Sequence, residues 1–459
     1  MLFPFPPLIF FASFSIYLFT MFPSIYWRDA SEFQAIGYLL DIAHPAGSPL
    51  YTLIAKGMTF LPFGSIAFKI TLLSALFGAA LSVVFFWMMR SILNLLFSAS
   101  EPPLSANWID GIAFITTLSL SFSNAVWENA NRAEVYTFQN FFTVIFILLL
   151  ITMPPFVSKT DVSGAHAEKM MYSLSFLFGL SLGAHAILIL YLPFLLFWAY
   201  YHWLKPKQVW VSLFMFKWLS VMFFFFLIGL SVYHYLPIRS AQNPYYDWGN
   251  PETLNNFMFH TSDRKDANVH FSVPQGNIFS KFLLIYWDLY RGNFSFLGVF
   301  LGFLGFCYLL VKKRYALLSL LVLFFFPPFI FFIRYWTENS AYIPTFMVLG
   351  ILLGTGVGGG VIFLQKQLVG NQRKKRYACL ISVLLSMQFI LLFFDHFKHN
   401  REQIDYWQTT KMMSRMLERI DPGAVIIAYH SWFGLNYLQQ VEGKRPDVTI
   451  LILSSFIVP

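Results

Sequence analysis

Long apolar runs alternate with short polar segments along the whole chain, and the runs have about the length that crosses a bilayer, roughly 20 residues. They fall at 5–26, 66–97, 108–124, 133–153, 170–184, 186–203, 209–236, 293–311, 315–333, 342–365 and 377–395. This pattern predicts an all-α polytopic membrane protein with about eleven transmembrane helices. The first run lacks a basic leader and a small-residue cleavage site, so it reads as a retained span. The runs on either side of His185 read either as two spans or as one long helix.

Charge placement decides between those two readings. With the N-terminus in the cytoplasm, Lys159 and Lys169, Lys205 and Lys207, Lys312-Lys313-Arg314, and Lys366 with Arg373-Lys374-Lys375-Arg376 all fall on one side. Merging the two runs would split these clusters, so the positive-inside rule favours separate spans and an external C-terminus. Three external segments follow: 27–65, 237–292 and the tail from 396. Residues 1–395 then form the transmembrane domain. In the tail 396–459, the order strand 424–429, helix 432–441, strand 448–453 predicts a small external α/β segment that stops directly after its second strand.

Composition agrees with this reading. The chain is 57% hydrophobic and only 12% charged, and its 56 phenylalanines exceed what one water-soluble core can hide. The net charge of +9 sits in short loops, with no basic-aromatic groove, so nucleic acid is excluded as a partner and the lipid bilayer takes its place. Cys307 and Cys379 both lie in predicted spans and offer neither a disulfide framework nor a metal site.

The polar residues near the outer span ends come from distant parts of the sequence and gather at one membrane face. They are Asp29, Glu32, His44, Asn131, Arg132, Glu134, His185, Arg239, Asn243, Arg334 and Glu338. Ionisable groups at such depths are expensive and are functional candidates by default. Asp29 and Glu32, three residues apart, share a face if helical; they suit proton transfer or a metal, and equally plain helix-start acids. His44-Pro45-Ala46-Gly47-Ser48-Pro49 reads as a rigid turn, whose histidine is either functional or structural. Trp127, Asn131 and Glu134 fall on one helical face with Arg132 beside it, as a site or as an interfacial charge pair. His185 stands alone in an apolar stretch, where a buried hydrogen-bonded histidine is the commoner case. The run Gly354–Gly360 lacks the strand and the Lys-Ser/Thr of a phosphate loop; Gly354 and Gly358, four apart, read as close helix packing.

Several of these stretches together resemble a known family. They are Asp29-Ala-Ser-Glu32-Phe, Ile42-Ala-His44-Pro45-Ala-Gly47-Ser-Pro49-Leu-Tyr51, Trp127 through Asn131-Arg132-Ala-Glu134-Val-Tyr136, Gly183-Ala-His185, Tyr235-Leu-Pro-Ile-Arg239 with Asn243-Pro244 and Trp248-Gly249-Asn250-Pro251, and Trp432 through Arg445-Pro446-Asp447. They resemble a bacterial membrane family of unknown function that includes a eukaryotic transmembrane protein O-mannosyltransferase. Ala46 and Ser48 depart from the more usual proline and tyrosine of that family, and the tail ends earlier than in many members.

The resemblance implies a C-type glycosyltransferase bundle in a bacterial inner membrane, with a polyprenyl-phosphate sugar donor and an external protein or glycan acceptor. It implies Asp29 and Glu32 as catalytic acids, and His44, Asn131, Arg132, Glu134, Tyr136, His185, Arg239, Asn243 and Arg334 as substrate contacts. Mannose transfer to a protein Ser/Thr hydroxyl with inversion is the leading expectation. No cofactor is certain, and a divalent metal stays open. A transporter or flippase of a lipid-linked or anionic substrate is the alternative, and a non-catalytic scaffold a third. The absence of a visible repeat weighs against the transporter.

Overall fold

The computed structural model describes residues 4–27, 29–152, 162–193, 196, 213–262, 278–315, 317–319, 321–322, 339–367, 371–404, 407–428 and 432–452. Its helices are α1 Phe5–Thr20, α2 Asp29–Leu39, α3 Pro49–Thr59, α4 Ile66–Phe97, α5 Ala106–Ser121, α6 Asn124–Ala130, α7 Tyr136–Thr152, α8 Val162–Leu182, α9 Leu213–Leu230, α10 Tyr235–Ser240, α11 Leu254–Thr261, α12 Ile278–Val311, α13 Ile343–Gln367, α14 Asn371–Ile404 and α15 Trp407–Arg419. Strand β1 Val425–Ala428, helix α16 Trp432–Gln440 and strand β2 Thr449–Ile452 follow.

Among the described residues, four helical stretches are long and apolar enough to cross a membrane: Ile66–Phe97, Trp218–Ser240, Trp287–Val311 and Ser340–Gln367. The pair α5–α6, bent by 62°, makes a fifth if it is one span. Phe5–Thr20 and Tyr136–Thr152 are shorter apolar helices. The chain is therefore an integral membrane protein. Most of the expected run 315–333 and much of 186–203 lie outside the described residues.

Helix α4 is the central post, packing against α1, α5 and α7. Its start is capped by the Ser65 hydroxyl, which accepts from the Phe68 amide at 3.2 Å. Its buried Thr71 and Ser82 donate back to the carbonyls of Ala67 and Gly78, so the apolar interior holds satisfied hydroxyls. Helices α12 and α13 meet backbone to backbone. A methyl group added at Gly356 of α13 would stand 2.1 Å from the Leu301 carbonyl of α12, and one at Gly305 1.9 Å from the Leu352 carbonyl. Small residues let the backbones touch in this way. Gly354 and Gly358 instead face Met89 and Phe97 of α4.

Two expectations are corrected. Helix α6 ends at Ala130, so Trp127, Asn131 and Glu134 do not share one helical face. The segment 237–292 is not a loop to its end, because α12 begins at Ile278 and kinks at Ser295, where φ is +58°.

In the tail, β1 and β2 pair in parallel, with Val425 opposite Thr449. Helix α16 packs onto α2, and the Tyr437 hydroxyl accepts from the Ala67 amide at 2.9 Å. The tail is thus seated against the helix that opens with Asp29.

Candidate functional site

Helix α2 starts on two acids, and carboxylates in a first turn are favoured by the unpaired amides and dipole of a helix N-terminus. Glu32 is fully buried at 0% exposure, whereas Asp29, one turn earlier, is exposed. Among the described residues the Asp29 carboxylate has no hydrogen-bond or ion-pair partner. At the far end of α2, Leu40 takes a left-handed φ of +60° and turns the chain back. The return brings His44 onto Glu32. The His44 amide donates to Oε1 at 2.9 Å and the ring Nδ1 to Oε2 at 2.8 Å. A carboxylate only accepts, so Nδ1 carries the proton. The turn closes with the Gly47 amide on the His44 carbonyl at 2.8 Å, and α3 begins at Pro49.

The electrostatics follow from this geometry. Burial opposes a charge on His44, but the Glu32 carboxylate outweighs it, helped by Asp29 and Glu134, and pushes His44 up to about 10. One ligand atom from each of Asp29, Glu32 and His44 lies within 4.8 Å of the others. Two carboxylates and an imidazole suit a divalent cation, although the Glu32 oxygens and the His44 Nδ1 are already bonded to each other.

Around this cluster the chain places most of the other expected residues. Glu134 is buried between α6 and α7; its amide donates to the Ser74 hydroxyl, which donates back to the Glu134 carbonyl. Arg132 lies 3.8 Å from Glu134 and 3.2 Å from Glu128, and reaches the Ser340 hydroxyl. The Tyr136 ring stands 5.8 Å from that of His185. His185 caps a 3-10 turn, its Nδ1 accepting from the Ile187 amide at 3.2 Å, so the neutral ring carries its proton on Nε2. Burial, and next the charge on His44, hold His185 down to about 4.

Other expected residues sit elsewhere. Asn131 ties three helices together: its carbonyl accepts from Phe22, its Oδ1 from the Thr20 hydroxyl, and its Nδ2 donates to Asn400. Arg239 is spent on the Asp41 carboxylate and the Leu39 carbonyl, both at 3.3 Å, and on Gln242. Asn243 is exposed in a left-handed turn, φ +50°, after α10. Arg334 and Glu338 lie outside the described residues.

Sequence reading passed over Asp41, which is 2% exposed and joins Arg239 to the Tyr246 amide. Ile42 donates to the Tyr246 carbonyl and bridges Asp247, so the segment after α10 is stapled beside the acids. An acid inside Leu39-Leu40-Asp41-Ile42 was a readable signal. His260, fully buried with neither ring nitrogen bonded among the described residues, had no such signal.

Comparison with known proteins completes the picture. Residues 29–210 match the family model described as the protein O-mannosyl-transferase TMEM260 N-terminal domain. Over 249 residues, 54% of this chain and 32% of the relative, the sequence is 29% identical to protein O-mannosyl-transferase TMEM260 of Mus musculus. Over 315 residues, 66% of this chain and 36% of the relative, it is 25% identical to the protein of that name from Dictyostelium discoideum. The chain thus spans about a third of the length of these curated relatives. Several solved structures share its fold, two of them as follows. One is ArnT from Cupriavidus metallidurans bound to undecaprenyl phosphate, with TM-score 0.54, 12% identity, and 98% of this chain and 90% of that one covered. The other is the Archaeoglobus fulgidus oligosaccharyltransferase tethered to an acceptor peptide, with TM-score 0.53, 10% identity, and 98% and 64% covered. The chain is similar in sequence to the O-mannosyl-transferase TMEM260 family, through that family's N-terminal domain, and is similar in fold to ArnT and to the archaeal oligosaccharyltransferase.

Proposed function

We propose that this chain is a membrane glycosyltransferase that moves a sugar, mannose first among the candidates, from a polyprenyl-phosphate carrier to a protein hydroxyl. The observation that carries the reading is the pair of acids opening α2. Glu32 is buried and locked to His44, while Asp29 is exposed beside it. Such a pair divides the labour between a group held in place and a group free to take a proton. The names of the sequence relatives, and the lipid phosphate and acceptor peptide in the two structures of like fold, support the donor and acceptor classes.

In the proposed reaction the acceptor oxygen attacks the anomeric carbon from the face opposite the carrier phosphate. The C–O bond to the phosphate breaks, the hydroxyl proton passes to Asp29, and the sugar is inverted. Arg132 is the arginine assigned to the leaving phosphate, because it stands beside Glu134, whose charge reaches His44, whereas Arg239 pairs with Asp41. His185 offers its Nε2–H as a neutral donor next to Tyr136. A divalent cation, if bound, would be held by Asp29 and Glu32 and would neutralise phosphate charge. The site faces outward from a bacterial cytoplasmic membrane, with the basic loops inside, although the two named sequence relatives are eukaryotic.

The test is transfer from radiolabelled polyprenyl-phosphate mannose or glucose to membrane or secreted proteins by the purified chain. Transfer from either carrier supports the reading. Absence of transfer from any polyprenyl carrier, together with lipid movement across vesicles, would replace it with a flippase.

A further inference from the structure

His260 lies in α11, far from the acids in sequence, yet it is fully buried against the turn that carries His44. Its ring is held between two glycines. A methyl group at Gly47 would stand 3.0 Å from Nε2, and one at Gly249 2.8 Å from Nδ1. Both glycines are left-handed, with φ of +89° and +72°, a conformation that keeps their Cα faces bare. Among the described residues neither ring nitrogen has a hydrogen-bond partner. A buried imidazole without partners is a stability cost that a leucine or phenylalanine of similar size would avoid. Polar groups kept at such a cost concentrate where function needs them.

We infer that His260 is a positioning residue for the glycosyl transfer proposed above: wedged between Gly47 and Gly249, its imidazole sets the turn that delivers His44 onto Glu32. The inference rests on that functional reading for its purpose, but the wedge itself is a matter of contact. Gly47 is both the residue that His260 touches and the residue whose amide closes the turn on the His44 carbonyl. A displaced ring therefore moves the one turn that supplies both donors to Glu32. Burial first, and then the charge on His44, keep His260 neutral, its pKa held down to about 4, so it adds shape and no second cation beside His44.

The experiment compares the full chain with His260→Phe, His260→Leu and His260→Gln in detergent. Three quantities are read: melting temperature, the rate at which diethyl pyrocarbonate modifies His44 (followed by peptide mass spectrometry), and sugar transfer. His44 is a suitable reporter, since its side chain is 34% exposed while Glu32 ties up its Nδ1. The expected result is an unchanged or higher melting temperature in the Phe and Leu variants. His44 modification should be about threefold faster or more, and turnover about tenfold or more lower at nearly constant donor KM. Gln, which lacks the ring that fills the space between Gly47 and Gly249, should shift both at least as far. His44 modification at the parental rate in both apolar variants overturns the inference, whatever transfer does. So does a melting temperature that falls in step with transfer in all three variants, which would mean lost packing alone. If the parent transfers no sugar while His44 reactivity still responds, the glycosyl-transfer reading has failed and the wedge stands.

Discussion

His44 closes on both oxygens of Glu32 at once, its amide on Oε1 at 2.9 Å and its ring on Oε2 at 2.8 Å. One residue thus supplies two donors to a carboxylate that is sealed from solvent. The residues between them, 33–43, form a helix and its return, so the pairing depends on the length of α2. The pairing also explains why Asp29 and Glu32, though adjacent on one helix, differ in what they are free to do.

The His44–Glu32 pair makes stability depend on pH. His44 is raised from an ordinary 6.5 to about 10 in the folded chain. A raised pKa means that the folded state holds its proton more tightly than the unfolded state. The stabilisation is complete below pH 6.5 and fades as pH climbs toward 10. The melting temperature of the purified protein should therefore fall across that window. Glu32→Gln should lower it at neutral pH and flatten the slope. An equally steep slope in the variant would show that another group titrates.

Asp41 and Arg239 should behave as one unit. Asp41 is buried and accepts from Arg239 and from the Tyr246 amide, so substituting either residue weakens the pairing of the other. Asp41→Asn and Arg239→Lys should each cost about 1–3 kcal/mol, and the double variant clearly less than the sum. Unfolding of the four proteins in detergent measures the coupling. Additive costs would mean that the contact contributes nothing and would leave Arg239 available to a phosphate.

The backbone contact of α12 with α13 leaves no room for a side chain at Gly356. Gly356→Val should abolish or sharply reduce folded yield, because overpacking at a rigid backbone costs about 1–3 kcal/mol or more. Gly360, on the same helix with nothing within 4 Å of an added methyl group, is the control and should tolerate alanine. Size-exclusion profiles of the two variants decide the matter.

Much of this was legible in the sequence, for identifiable reasons. The run 66–97 is α4 residue for residue, because an uninterrupted apolar stretch with a serine cap admits no other reading. Asp29, Glu32 and His44 were legible because acids and a His-Pro turn stand out beside apolar runs. The break after Ala130 was not, since Asn131 leaves the helix to bond residues of α1 and α14 that no local pattern announces. The partner of Arg239 was not legible for the same reason: Asp41 lies 198 positions away. Long-range pairing is where periodicity carries no information.

The membrane orientation is open to a direct check. Loops 312–314 and 366–376 are proposed to face the cytoplasm, and the tail from 396 the outside. With Cys307 and Cys379 replaced, a cysteine at Lys313 should resist an impermeant reagent in intact cells, while one at Lys444, exposed in the tail, should react. The reverse pattern would put Asp29 on the cytoplasmic side and remove the external-acceptor reading.

The strongest single test is Asp29→Asn. The change is nearly isosteric, and Asp29 is exposed with no partner among the described residues, so the fold should survive it. What it removes is the oxygen that takes the acceptor proton as the new glycosidic bond forms. A positioned base of this kind is typically worth about 10²–10⁴-fold in rate. Transfer should fall by that factor, with the donor KM little changed, because a base acts in the transition state more than in the ground state. Glu32→Gln should also lose transfer, but together with stability, since Glu32 holds His44. The contrast between the two variants is the diagnostic. Loss of activity alone in Asp29→Asn, and of activity with stability in Glu32→Gln, separates the proton acceptor from the group that organises the site. Near-normal transfer by Asp29→Asn would show that Asp29 is not the base and pass that role to Glu134, the remaining carboxylate whose charge reaches His44.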